Sequence, residues 1–199
     1  MLPIESDLIW LITAAFVGYL SGSIPFGLLL SKLMGLGDLR SIGSGNIGAT
    51  NVLRTGNKVA AFLTLVLDAL KGAAPLLLFR HYFGEDAGQL AGLAAFIGHL
   101  YPVWLQFKGG KGVATFLGVL LALSFPVGAM ACLIWLIGAA ITRMSSVGSL
   151  SAATLSPMVA FFLFPVGALC CVAMGILVWV RHEENIRRVM NGSEPKIGR

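Results

Sequence analysis

Five stretches of this chain, residues 8–33, 59–79, 87–106, 113–142 and 147–180, are long and apolar enough that lipid is their natural surrounding. A helix crosses a hydrocarbon core of about 30 Å with roughly 20 residues. Charged residues make up only 12% of the 199, about half of what a soluble domain carries. Short loops fit between the stretches, but a separate soluble domain does not. The chain therefore reads as one all-α, polytopic membrane domain over residues 1–199.

The first stretch follows Glu5 and Asp7 and no basic residue, the reverse of a secretory leader, so it reads as a retained helix. Residues 113–142 and 147–180 exceed one upright span; the former would be about 45 Å long as a single helix. Each carries a breaker near its middle, Ser124-Phe125-Pro126 and Phe164-Pro165. Proline removes a backbone donor and clashes with the preceding turn. Splitting both predicts seven transmembrane helices; leaving both whole gives five.

With the N-terminus extracytoplasmic, seven spans place residues 31–58, 106–112, 143–146 and the tail from 181 on the cytoplasmic side. These segments hold Lys32, Arg40, Arg54, Lys58, Lys108, Lys111, Arg143, Arg181, Arg187, Arg188, Lys196 and Arg199, which is 12 of the 14 Lys and Arg. Arg80 falls outside and Lys71 within a span. So strong a bias marks a cytoplasmic face, with the C-terminus on it. It also accounts for the net charge of +5 without any nucleic-acid partner. Cys132, Cys170 and Cys171 lie inside apolar runs, without metal-ligand or disulfide spacing, and read as packing residues.

The same topology gathers four polar segments at one end: "DLRSIGSGNIGATNVLRTGNK", "FKGGKGVAT", "TRMSSVGS" and "RHEENIRR". Glycines let a backbone approach a ligand and turn its N–H groups inward. Lysine and arginine supply charge for phosphate or carboxylate. Ser44, Asn46, Thr50 and Asn51 add more side-chain polarity than a plain turn needs. "FKGGKGVAT" runs straight into a helix, whose first amides favour an anion. Gly110-Lys111 is followed by Gly112, so the Walker pattern is absent and an ATPase of that class is excluded. His182 and Asn185 share a helix face. Glu183 and Glu184 sit beside basic residues and read as ion-pair partners. Asp68 and Lys71, three apart within a span, read as a mutually neutralising pair.

Taken together, "SGSIPFG", "GSGNIGATNVLR", "LDALKG", "GHLYPVWLQFKGGKGVAT" and "RHEENIRR" resemble the bacterial acyl-phosphate:glycerol-3-phosphate acyltransferase family, PlsY. The resemblance runs from the first span to the tail, with Ile47 standing where proline is common. It implies seven helices in the cell (inner) membrane and a cytoplasmic active site. The implied reaction moves an acyl group from acyl phosphate, supplied by the soluble enzyme PlsX, to the 1-hydroxyl of glycerol 3-phosphate. Lysophosphatidic acid and phosphate are the products, with no metal or other cofactor.

Position by position, the resemblance implies that Ser44 and Asn46, with the amides of Gly45 and Gly48, hold a phosphate, and Asn51 belongs to the same loop. Arg54 and Lys111 neutralise anions, with Lys108, Gly110 and Gly112 in the second loop. Ser146 and Ser149 contribute from a further cytoplasmic turn. His182 and Asn185 bind the glycerol phosphate, and either His182 or a substrate phosphate is the general base. A transporter would place such groups near the midplane, where only Asp68, Lys71 and His99 lie. A non-catalytic assembly partner would use the glycines for helix packing alone.

Overall fold

In a computed structural model, residues 4–197 are described, and every regular element among them is helical. Arg199, counted above on the cytoplasmic side, lies outside the described residues. Ten α-helices follow in order: α1 (Leu8–Gly22), α2 (Phe26–Leu33), α3 (Ala49–Val52), α4 (Lys58–Phe83), α5 (Glu85–Leu100), α6 (Val113–Leu123), α7 (Phe125–Thr142), α8 (Ser145–Leu163), α9 (Ala168–Arg181) and α10 (Glu183–Met190).

Both breaks anticipated from proline are present. One separates α6 from α7 at Ser124, the other α8 from α9 at Phe164. Two other boundaries move inward. The first run breaks at Ser23-Ile24-Pro25, and α5 stops at Leu100, short of the expected residue 106. The cause is the same in each case: Pro25 and Pro102 push the residue before them out of helical conformation.

Four segments are long and apolar enough to cross a membrane: Leu8–Leu33, Lys58–Phe83, Phe125–Thr142 and Ser145–Leu163. A fifth arises if Pro165–Arg181 and Glu183–Met190 are taken as one span bent by 59°. Helix α6 has 11 residues, so it is about 17 Å long and cannot cross alone. The loop before it must therefore satisfy its backbone polar groups within the protein.

Small residues set the helix spacing. Gly18 and Gly22, one turn apart on α1, lie on the carbonyls of Ala91 and Ala95 in α5; a Cβ on Gly22 would sit 1.8 Å from the Ala95 oxygen. Lipid offers no hydrophobic drive between helices, so such backbone contact is what holds them together. Gly22→Leu is expected to destabilise the protein by about 3 kcal/mol through overpacking. An unchanged Tm in detergent would refute the contact. Larger side chains fill the centre, where Phe96, Phe116, Leu120 and Met174 are fully buried beside Cys170 and Cys171.

The bundle has two distinct ends. At one, the N–H groups of Glu5 and Ser6 each donate to Asp86 Oδ2 at 2.9 Å, and Arg80 donates to the Leu123 carbonyl at 2.9 Å. The first glycine-rich loop lies at the other, just before α4 begins, and the second folds against the C-terminal end of α5.

Candidate active site

Three connections join the polar segments. Arg40 Nη2 donates to the Lys108 carbonyl at 3.2 Å, linking the two glycine-rich loops. Arg181 Nε and Nη2 donate to the carbonyls of Gly110 and Gly109 at 3.2 and 3.1 Å. The tail closes the ring, with the Ile197 N–H on the Arg143 carbonyl at 2.7 Å.

The first loop turns at Gly43 and Gly45, both at positive φ. It rests on α2, where a Cβ on Gly27 would meet the Ile47 carbonyl at 1.9 Å. Asn51 organises it from inside. Asn51 Nδ2 donates to the carbonyls of Leu39 and Asn46, both at 2.8 Å, and its Oδ1 accepts the Ser44 N–H at 3.2 Å. Asn51 is buried, and its amide bonds within the loop. The Gly45 amide is spent too, on the Ile42 carbonyl at 2.9 Å. Asn46 Oδ1 accepts the Ile47 N–H at 3.0 Å, leaving its Nδ2 free to donate. Ser44 is exposed, Gly48 is half-buried with Asn46 Nδ2 3.6 Å from where its Cβ would be, and Arg54 lies along Gly43. Among the described residues, the Ser44 hydroxyl, the Asn46 amide nitrogen, the Gly48 N–H and the Arg54 guanidinium form no hydrogen bond within the loop.

The second loop folds back on the end of α5. The Gly109 and Gly110 N–H groups donate to the carbonyls of Leu100 and His99, each at 3.1 Å. Cβ atoms on Gly110 and Gly112 would fall 2.3 Å from His99 Nε2 and 2.4 Å from Phe96 Cε2. These glycines admit the His99 and Phe96 rings, and the Gly110 N–H is taken up by the His99 carbonyl. The Arg181 clamp satisfies the remaining carbonyls, and its guanidinium lies 5.2 Å from the Tyr101 ring centroid. Lys108 is exposed. Beneath His99, Thr115 Oγ1 lies 3.2 Å from its Nδ1, and Asp68 pairs with Lys71 at 2.7 Å. Lys71 Nζ donates to the Ile24 carbonyl at 2.8 Å. The span pair is internally neutralised, as its spacing suggests.

Lys111 leaves this loop toward α10, where its Nζ donates to Asn185 Oδ1. Asn185 Nδ2 donates to Glu194 Oε1 at 2.6 Å, and Arg188 Nε donates to Glu194 Oε2 at 2.8 Å. The Ser146 hydroxyl lies beside this carboxylate, buried and without a formed hydrogen bond. Burial, reinforced by Arg188, holds the Lys111 ammonium down to about 8. His182, also buried, has Nδ1 2.8 Å from the Val178 carbonyl. That contact makes Nδ1 the donor and leaves Nε2 a lone-pair acceptor. Burial pulls its pKa to about 4, so the ring is neutral at working pH.

Ser149 takes another role. Its hydroxyl donates to the Ser145 carbonyl at 2.8 Å and accepts the Trp135 indole N–H at 3.1 Å. Ser149 thus laces α7 to α8. Glu183 and Glu184 pair with Arg187 and Arg188 at 2.7 and 3.8 Å across one exposed turn.

Sequence reasoning singled out neither Arg40, Arg181 nor Glu194 as a site residue. Arg181 had a readable signal, since a short loop without helical bonds between apolar runs needs a buried donor for its carbonyls. Apolar surface adjoins the cluster. A groove of about 430 Å³ between α8, α9 and α10 is lined by Leu150, Thr154, Trp179, Ile186, Val189 and Met190. Leu150 lies one helical turn from Ser146.

A bundle of apolar helices whose polar loops carry Arg54, Lys111, Arg188 and a neutral acceptor histidine defines an integral membrane protein with a polar site beside apolar surface. A profile for glycerol-3-phosphate acyltransferase matches residues 12–192. The chain belongs to that family. Glycerol-3-phosphate acyltransferase of Jannaschia sp. (strain CCS1) is 60% identical over 201 residues, covering 100% of this chain and 99% of that protein. The enzyme of the same name from Roseobacter denitrificans is 59% identical, covering 98% of each chain. The crystal structure of PlsY (YgiH), an integral membrane glycerol 3-phosphate acyltransferase, in its glycerol 3-phosphate form, superposes with a TM-score of 0.89. It is 40% identical and covers 94% of this chain and 96% of its own. Its lysophosphatidic acid form gives a TM-score of 0.88 at 39% identity.

Proposed function

We propose that this protein transfers an acyl group from acyl phosphate to the 1-hydroxyl of glycerol 3-phosphate, releasing lysophosphatidic acid and phosphate. The observation that supports the reading is a polar cluster on each of the two joined loops: Arg54 against Gly43 beside Ser44 and Asn46, and Lys111 gathered with Arg188 around Asn185 and Glu194. Both substrates bring a phosphate, and each cluster suits one. The adjoining groove suits the acyl tail of the donor.

An acyl phosphate is a mixed anhydride whose leaving group departs readily, so no covalent enzyme intermediate is required. Positioning the two substrates and stabilising charge on the departing phosphate supply the catalysis. The glycerol hydroxyl attacks the acyl carbonyl and its proton passes to His182 Nε2. Lys111, Lys108 and Arg54 balance the phosphates, while Ser146 and Asn185 complete the wall around them. No metal or organic cofactor enters this scheme.

The topology belongs to the same proposal. Seven spans in the cell (inner) membrane, with the N-terminus outside and the site cytoplasmic, agree with N-terminal residues that meet Asp86 far from the loops. PlsX, as a soluble donor of acyl phosphate, would then deliver to the site's own side.

Purified protein given labelled glycerol 3-phosphate and acyl phosphate, without added metal, is expected to form lysophosphatidic acid and phosphate in equal amounts. Movement of glycerol 3-phosphate into liposomes without acylation would instead identify a carrier.

A further inference from the structure

Glu194 places a carboxylate in the middle of a cationic cluster. It belongs to the run Asn191-Gly192-Ser193-Glu194-Pro195, which in sequence looks like a solvated terminus. Yet Glu194 is only 8% exposed. The chain reverses at Gly192, where φ is +71°, and the Ser193 N–H donates to the Arg188 carbonyl at 2.8 Å. Farther on, Ile197 is held by the Arg143 carbonyl. The tail is thus pinned to α10 and to the α7–α8 turn, with Glu194 inserted between the two points.

The partners on either side of Asn185 fix its orientation. Lysine only donates and an ionised carboxylate only accepts, whereas an amide presents one of each. Lys111 requires the amide oxygen and Glu194 requires the NH2 group. Arg188, on the second carboxylate oxygen, prevents Glu194 from turning away.

We propose that Glu194 is a positioning residue for phosphate binding: it orients the Asn185 amide so that its oxygen holds the Lys111 ammonium in place for the anion. This rests on reading Lys111 as a phosphate-binding group. An amide beside Lys111 holds the ammonium without cancelling its charge, while the carboxylate one step away is shared with Arg188.

The charged and titratable groups around Lys111 are Arg181 and His182 at the end of α9, Glu184 and Arg188 on α10, and Glu194 in the tail. Glu194 and Glu184 favour the protonated lysine, whereas Arg188 and Arg181 oppose it. Removing Glu194 therefore lets Lys111 lose its proton at lower pH. A merely structural role would not move that titration.

The test compares full-length wild type, Glu194→Ala, Glu194→Gln, Lys111→Met and the Lys111→Met/Glu194→Ala double variant in the acylation assay. Glu194→Ala is expected to raise the KM for one phosphate substrate about tenfold, the loss of one hydrogen bond to a charged group, and to change kcat less than about threefold. Its basic limb of kcat/KM should move below that of wild type. Glu194→Gln, which keeps an acceptor for Asn185, should lose less, and the double variant should be no worse than Lys111→Met. An unchanged KM, a lowered KM (a carboxylate that competes with substrate), an unmoved basic limb or additive losses would each overturn the proposal. Should Glu194→Ala fail to fold, Glu194→Gln carries the test through the position of its basic limb. Full activity in Lys111→Met would remove the underlying phosphate reading. An inactive Lys111→Met beside an unaltered Glu194→Ala removes the positioning role alone.

Discussion

Lys111→Met is expected to lower kcat/KM for acylation by about a thousandfold. Truncating one partner of a desolvated charge contact costs about 2–5 kcal/mol, and about 1.4 kcal/mol is tenfold in rate. Lys111 belongs toward the upper end because burial already holds its pKa at about 8, leaving little water to compensate a bound anion. The sign of the pH effect follows. Free enzyme loses the ammonium as pH rises through about 8, so kcat/KM falls above that value. A bound phosphate favours the charged form, so the corresponding limb of kcat lies at higher pH. Lys111→Arg should abolish the basic limb, since arginine stays charged. It should not restore full activity, because its planar fork does not fit the single Asn185 oxygen. A basic limb that survives in Lys111→Arg would assign it to another group.

His182→Ala is expected to lower kcat by about 10²–10⁴-fold, the range for loss of a positioned general base, with KM changed little. The Val178 carbonyl fixes the tautomer, so the ring offers its lone pair in one direction only. A pKa of about 4 in the free protein keeps that lone pair available at every working pH. The negative charge brought by two phosphates then raises the basicity of the same nitrogen when the hydroxyl proton must be taken up. Loss of less than tenfold in kcat would assign the proton to a substrate phosphate instead. His182→Gln serves as the second variant, preserving bulk at the α9–α10 bend.

How much of this was legible in the sequence depends on whether the feature is local. The breaks at Ser124 and Phe164 are local proline chemistry, and both were readable. Pro25 and Pro102 carried the same signal at the first span and at the end of α5, where hydropathy alone suggested continuation. The gathering of cations at one end followed from span counting. Side-chain direction did not. Asn51, Ser149 and Gly110 are the right residue types in the right segments, but their polar groups are satisfied inside the protein. Composition cannot say whether a polar group faces a ligand or its own loop. Glu194 was invisible for a related reason: its burial depends on the tail reversing at Gly192 and meeting α8, a contact between residues remote in sequence.

The groove that begins one turn from Ser146 is open along its side, with Trp179 44% and Met190 80% exposed. On the proposed reaction, a donor whose tail lies there enters sideways from the leaflet, and the acylated product leaves the same way. Turnover should then follow the mole fraction of acyl phosphate in the surrounding lipid or detergent rather than its bulk molarity. Diluting the donor with inert amphiphile would slow the enzyme even while both total concentrations stay constant.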